Sequence, residues 1–278
     1  MIECIGKYYS EGISFKDIAY FDEAVFNTGV SFYEVMRVFD GVCLFFEEHV
    51  SRLKESMRLS GCRFTPDSAL ICNIIPDLLS RNKLKSGNIK LVVHVGDSNS
   101  PIIFTYIIPH VYPSRAMYIK GVNTAVYKIV RKDPNVKRIS PEIRKQLSGF
   151  IIEKKIFEAL LVDENAFITE GSKSNVFFIK SNTVYTAPDE TVLKGITRDK
   201  ILKLCKHLNY NVIEKSVSIN NLNTMEASFI TGTSPGVLPI RKINRLLFAV
   251  DNLLLNALRK EYDTLIRLYI EMHRGNSY

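Results

Sequence analysis

Apolar positions along this chain follow two rhythms, period two and period 3.6, which alternate from end to end. The run VSFYEVMRVFDGVCLFF predicts two strands joined at Asp40-Gly41, a dipeptide that tolerates the positive φ of a tight hairpin. EEHVSRLKESMRLSG then places Val50, Leu53 and Met57 at helical spacing and stops at Gly61, a residue suited to the left-handed position past a helix end. A second helix is predicted after Pro66, over PDSALICNIIPDLLSRNKL. IKLVVHVGD and IIFTYIIP are β-branched runs split by GDSNSP, a second hairpin signal.

HVYPSRAMYIKG interrupts the pattern with a proline and polar residues, and reads as an interdomain connection. It divides the chain into an N-terminal α/β domain, residues 1–114, and a C-terminal domain, residues 115–278. Past it, NTAVYKIVRK predicts a strand. ISPEIRKQLSGFIIEKKIFEA predicts a helix with Ser140 as cap and Pro141 in the first helical position. EALLVD, AFITEG, SNVFFIK and TVYTAP read as a meander of four strands. DKILKLCKHLN carries Ile201, Leu202, Leu204, Cys205 and Leu208 on one helical face. ASFITG is a further strand, and VDNLLLNALRKEYDTLIRLYIEM closes the chain as one or two helices. Strands and helices interleave in both halves with short antiparallel pairings, so the class is α/β (α+β mixed) rather than a doubly wound sheet.

At 278 residues and 46% apolar content the chain can bury two cores. The net charge of +8 favours anionic partners without choosing among them. Five widely spaced cysteines with no CxxC argue against a disulfide framework and a thiolate metal site. MIECIGKYYSEG lacks the layout of a signal peptide, and no apolar run is long enough to span a bilayer, so a reducing cytoplasm is expected.

GxGxxG, GxxxxGK[ST], HExxH and GxSxG are absent, and the five histidines are scattered, so no metal is expected. Three segments of the second half carry chemistry. In LKGITRDKILKL, Gly195 allows a tight turn into a helix from about Arg198. The N–H groups of Ile196 and Thr197 then sit at a positive helix end that attracts anions. FITGTSPG runs a strand into a turn offering backbone N–H groups and the Thr233 hydroxyl. In FITEGSKSNVFFI, Glu170 sits among apolar residues, where a carboxylate is costly unless a cation meets it. Two anion cradles and one buried acid together suit a phosphorylated, cationic heterocycle.

The ordered markers YEVMRVFDG, EEHVSRL, DPNVK, EALLVDENAFITEGSKSNVFFI, LKGITRDKIL and FITGTS resemble the fold-type IV enzymes that use pyridoxal 5′-phosphate. These include branched-chain and D-amino acid aminotransferases and aminodeoxychorismate lyase. The resemblance implies a two-domain fold, with a small N-terminal α/β domain and a larger C-terminal domain built on a barrel-like sheet with helices. It also implies a homodimer. Lys137 matches the lysine that forms the Schiff base with the cofactor, in preference to Lys132 and Lys145. Glu170 matches the carboxylate on the pyridine nitrogen, and Arg52 the arginine that grips the phosphate. Ile196, Thr197, Gly232 and Thr233 match the remaining phosphate contacts. Tyr33 matches an active-site tyrosine, while Ser174 and Asn175 order the turn around Glu170. Arg37, on the same strand face as Tyr33, is a candidate for the substrate carboxylate, and His94 and Tyr33 are candidates for substrate binding.

The implied activity moves an amino group between an amino acid and a 2-oxo acid. A lyase releasing pyruvate is the alternative within the fold, and a binding protein without turnover the alternative outside it. No aromatic-interleaved basic stripe supports nucleic acid. Substrate identity is less legible. Val95 stands where D-amino acid aminotransferases carry an arginine, NIKLVVHV lacks the branched-chain Tyr-x-Arg signature, and RISPEIR does not reproduce the lyase segment. Specificity is expected to be decided between His94 and Ser100 and at Arg37.

Overall fold

The computed structural model describes residues 3–96 and 100–274. The chain forms two compact units. The first takes the chain up to Val111, Val136–Ile139 and the chain from Ile266 onward; the second takes Tyr112–Asn135 and Ser140–Leu265. Among the described residues no helix is long and apolar enough to cross a membrane.

The first unit is built on β1 (Ile5–Glu11), β2 (Ser14–Asp17), β3 (Val30–Phe39), β4 (Val42–Cys43), α1 (Phe46–Leu59), α2 (Ser68–Arg81), β5 (Gly87–Val95) and β6 (Pro101–Ile108). The sheet order is β2-β1-β6-β5-β3-β4, antiparallel throughout. Both predicted hairpins are present. Asp40 and Gly41 take φ of 53° and 80°, as a two-residue connection requires. The tip of the second hairpin, GDSNSP, lies partly outside the described residues. Alternation on β3 sends Phe32, Met36 and Val38 toward α1 and α2, where they meet Leu53, Met57, Ile75 and Leu78. Each such burial contributes roughly 1.5–3 kcal/mol. The opposite face carries Tyr33, Val35, Val92 and Tyr106.

The second unit contains α3 (Arg115–Lys120), β7 (Val122–Lys128), α4 (Pro141–Lys154), β8 (Glu158–Val162), β9 (Phe167–Gly171), β10 (Asn175–Lys180), β11 (Thr183–Thr186), α5 (Ile196–His207), β12 (Asn211–Glu214), β13 (Val217–Ser218), β14 (Ala227–Gly232), β15 (Gly236–Ile243) and β16 (Leu246–Leu247). A single helix, α6 (Leu253–His273), ends the described chain. The predicted connection HVYPSRAMYIKG contains α3, capped by the Ser114 hydroxyl. Helix α4 does start at Pro141 with Ser140 before it, although the Ser140 side chain makes no capping bond.

The expected four-strand meander is broken in the middle. The sheet order is β12-β11-β10-β14-β15-β7-β8-β9-β13, with β16 on β15, so four strands stand between β10 and β9. In a flat sheet at about 4.8 Å per strand, those two would lie about 24 Å apart. Residues 172–174, which join them, reach at most about 14 Å. The sheet therefore curls toward a half-barrel, with the Gly171 N–H bonded to the Ser174 carbonyl at 2.8 Å in the closing turn. Its core includes Leu160, Val176, Phe178, Ile230 and Leu238. The class is mixed α/β, in two units.

Candidate active site

In the first unit, β3 and α1 meet around one carboxylate. Glu34 points inward by strict alternation with Phe32 and Met36, and its side chain is wholly buried. Arg52 and His49, one helical turn apart on α1, both reach it. Arg52 donates from Nε to Oε1 at 2.7 Å and from Nη2 to Oε2 at 2.6 Å; His49 Nδ1 lies 2.7 Å from Oε2. Burial alone would push the Glu34 carboxyl up, but the charge and hydrogen bonds of Arg52, helped by His49, hold it at about 2. Burial keeps His49 below its usual range, against the pull of Glu34, so at neutral pH it is a neutral ring whose Nδ1–H donates a hydrogen bond to the carboxylate.

Lys137 enters this unit by backbone pairing. The Tyr33 N–H donates to the Lys137 carbonyl at 3.1 Å, and the Ile139 N–H to the Ser31 carbonyl at 2.9 Å. Phe32 and Arg138 complete an antiparallel bridge on the β3 edge that β4 leaves open. The Lys137 N–H also donates to Ser56 Oγ of α1 at 3.2 Å. These bonds hold the Lys137 Nζ over the Tyr33 ring, 4.8 Å from its centroid. Its rivals differ: Lys132 is exposed, and Lys145 is exposed on α4. Arg37 shares the Tyr33 face, and its guanidinium lies over the Phe39 ring at 5.6 Å. His94, opposite Ser31 in register, is buried with its Nδ1 2.9 Å from Ser31 Oγ.

In the second unit, the end of β9 and the start of α5 are tied together. Glu170 is buried. Its Oε1 accepts from Arg131 Nη1 at 2.5 Å and its Oε2 from the Leu193 N–H at 3.1 Å. Asn175 Nδ2 donates to the Leu193 carbonyl at 2.8 Å. Gly195 follows, packed so closely that a Cβ there would lie 2.0 Å from Asn175 Oδ1. Helix α5 starts at Ile196, two residues before the expected Arg198, with Gly195 as a cap that has no side chain to offer. Arg198 instead is a buried cation held by Asp189, Glu214 and the Ala187 carbonyl. The Thr197 hydroxyl lies 3.3 Å from Tyr262 Oη. Gly232 ends β14 and pairs with Gly236 across the turn that contains Thr233. One residue earlier, the buried Thr231 hydroxyl has no partner among the described residues.

The predicted residues thus fall into two groups: Tyr33, Arg37, Arg52, His94 and Lys137 in one unit, and Glu170, Ser174, Asn175, Ile196, Thr197, Gly232 and Thr233 in the other. Glu34, His49 and Arg131 were not anticipated. An acid at an inward position of YEVMRVF, with HVSR on the next helix, was the available signal for the first two. Among the described residues no three His, Cys, Asp or Glu side chains form a metal-binding group. The donor set fits a phosphorylated pyridine in charge and type. An uncapped helix start and an unpartnered buried hydroxyl suit a phosphate. A buried carboxylate, acceptor-only when ionised, suits a ring N–H.

Comparison with known proteins places these residues in a family. A family model described as Amino-transferase class IV matches residues 31–243. D-alanine aminotransferase of Bacillus licheniformis is 30% identical over 234 residues, covering 79% of this chain and 80% of the relative. A branched-chain-amino-acid aminotransferase of Salmonella typhimurium is 27% identical over 238 residues, covering 78% and 77%. In fold, a T.th. branched-chain amino acid aminotransferase solved with pyridoxamine 5′-phosphate superposes with a TM-score of 0.86, at 19% identity and 98% coverage of both chains. The chain belongs to the class IV aminotransferases, and it is an enzyme of transamination.

Proposed function

We propose that this enzyme uses pyridoxal 5′-phosphate to carry an amino group from an amino acid to a 2-oxo acid, with Lys137 as the covalent anchor and proton carrier. The observation that carries the reading is the Lys137 amine, held over the Tyr33 ring at 4.8 Å by three backbone contacts in a chain of this family. When bound, the cofactor supplies an electron sink for the carbanion formed at the substrate Cα. Lys137 Nζ would take the proton from the substrate Cα and hold it for return, acting first as base and then as acid. Glu170 keeps the ring nitrogen protonated, and Arg131 and the Leu193 N–H orient that carboxylate. The N–H groups of Ile196 and Thr197, the Gly232–Thr233 turn and Arg52 hold the phosphate, with Glu34 and His49 fixing the direction of Arg52. Arg37 and His94 face the substrate.

Two further assignments rest on the same reading. The resemblance supports a homodimer. None of the five cysteines is in a disulfide, which supports a reducing compartment, and burial pushes the Cys4 and Cys205 thiols up to about 12, so they stay protonated and inert.

The test supplies L- and D-amino acids singly, each with and without 2-oxoglutarate. The expected result is a 2-oxo acid product that requires the acceptor and is lost in Lys137→Ala. Pyruvate released from aminodeoxychorismate without any acceptor would overturn the transaminase reading in favour of a lyase.

A further inference from the structure

Three elements of the second unit leave a cleft between them: the end of α4, the strand β7, and the turn that joins β15 to β16. The cleft encloses about 410 Å³, a volume typical of small-molecule sites. Lys154 and Lys155 line it from the end of α4, and Lys242 and Arg245 from the hairpin. Among the described residues no acid lines it. The apolar side chains of Val126, Phe150 and Ile156 line it too.

The chain itself meets these four cations poorly. Lys154 pairs with its neighbour Glu153 at 3.0 Å, but that carboxylate is 69% exposed, and such a surface contact adds little in water. Lys155, Lys242 and Arg245 have no side-chain partner among the described residues. A helix C-terminus favours the two lysines that close α4. Lys242 and Arg245 come from a hairpin, where that reason does not apply. Lys242 is half-buried, in register with Asn123 of β7. Where the fold shields Arg52, Arg131 and Arg198, it sets Glu34, Glu170, and Asp189 with Glu214 against them. It sets no acid against Lys242.

Two lining residues hold left-handed backbone, Lys155 at φ 51° and Asn244 at φ 52°. Glycine takes the position after a helix end most easily, yet a lysine stands there. Asn244 is fixed by its N–H, which donates to the Thr124 carbonyl at 3.0 Å, and by its Oδ1, which accepts from the Val126 N–H at 3.2 Å. Its side-chain amide nitrogen has no partner among the described residues and is a further donor at the cleft. A concave surface lined by one sign of charge concentrates its field and gathers counter-ions.

We propose that this cleft binds a small molecule carrying a phosphoryl group on an apolar or aromatic body, at a site apart from the cofactor residues. A phosphoryl group brings close to two negative charges and three acceptor oxygens, which suits several converging donors. The Phe150 side of the cleft suits the body. Strand β15 runs from Gly236, paired with Gly232, to the cleft at Lys242, which puts the cleft about 20 Å along the strand from the Gly232–Thr233 turn. The proposal stands independently of the role of Lys137. A bound ligand would tie α4, β7 and the hairpin together and stabilise the fold in proportion to its occupancy.

Holoenzyme dialysed free of excess cofactor, titrated calorimetrically with AMP, inorganic phosphate and adenosine, tests the site. AMP is expected to bind at one equivalent per chain with a Kd below about 1 mM, inorganic phosphate at least about tenfold more weakly, and adenosine not measurably. The double variant Lys242→Gln/Arg245→Gln should weaken AMP at least about tenfold, whereas Lys180→Gln/Lys215→Gln, which removes the same charge from exposed positions outside the cleft, should leave it within about twofold. Lys155→Gly, which suits the left-handed backbone and so should fold at least as well as wild type, should still weaken AMP about threefold or more. No AMP binding to the holoenzyme, equal losses in the two double variants, or unchanged affinity in Lys155→Gly would each overturn the proposal. A ten-nucleotide single-stranded RNA that binds at least about tenfold more tightly than AMP, and is lost in Lys242→Gln/Arg245→Gln, would overturn it in favour of a nucleic-acid surface.

Discussion

Replacing Glu34 by Gln removes a negative charge that three donors converge on, and the structure sets the size of the loss. The carboxyl is held at about 2 against a usual 4.5, because Arg52 and His49 outweigh the burial that would raise it. That displacement corresponds to about 3 kcal/mol of folding stability. It agrees with the roughly 3–5 kcal/mol lost when one partner of a buried ion pair is removed. The sign follows from a depressed carboxyl: its contribution is complete above pH 4.5 and is lost as pH falls toward 2. Urea unfolding of wild type and Glu34→Gln from pH 7 to pH 2.5 should show a gap of about 3 kcal/mol at pH 7 that closes across that window. His49 adds an earlier slope. The unfolded chain takes up a proton below about pH 6.5 that the buried folded ring refuses, so wild-type stability begins to fall there. A gap below about 1 kcal/mol at pH 7, or one that does not change with pH, would refute the assignment of Glu34 as the charged centre of this cluster.

Glu158 behaves in the opposite sense. Burial raises its carboxyl, only partly offset by the Lys173 N–H and neighbouring groups, so the neutral form is favoured in the fold and stability is lost as pH rises through the raised value. Glu158→Gln, which keeps an acceptor for the Lys173 N–H, should therefore gain stability relative to wild type as pH rises from the usual carboxylate value of 4.5; a difference between the two that does not change with pH would show that burial does not favour the neutral form. Gly195→Ala drives a methyl group into Asn175 Oδ1, so the turn that places Leu193 against Glu170 and opens α5 must shift. We expect a cost of about 1–3 kcal/mol in thermal unfolding and at least tenfold weaker pyridoxal phosphate by fluorescence titration; unchanged affinity would remove this turn from the phosphate site.

Most elements on the β3–α1 side were legible because local chemistry and tertiary packing agree there. The Asp40-Gly41 turn, the inward alternation of Phe32, Met36 and Val38, and the Gly61 stop each act over a few residues. The pairing of β9 and β10 was not legible. Adjacent strands with a short turn normally form a hairpin, and only the curl of the whole sheet sends β10 to β14 instead. Helix α5 starts two residues earlier than its local pattern suggests because Gly195 caps by close approach to Asn175, a contact that no local pattern encodes. Cofactor candidates such as Glu170 and Lys137 came from ordered motifs. Their supports came from side chains far off in sequence: Arg131 lies 39 residues from Glu170, and Ser56 lies 81 from Lys137. The ion pair of the buried Lys90 with Glu3 was invisible for the same reason, since the two lie 87 residues apart.

The most direct test of the account fixes the cofactor where it is bonded. Wild-type protein is loaded with pyridoxal phosphate, reduced with borohydride, digested and read by mass spectrometry. The reduced pyridoxyl mass is expected on the peptide containing Lys137, with none in Lys137→Ala and weaker loading in Glu170→Ala. The same mass on Lys132 or Lys145, or on no lysine at all, would contradict it.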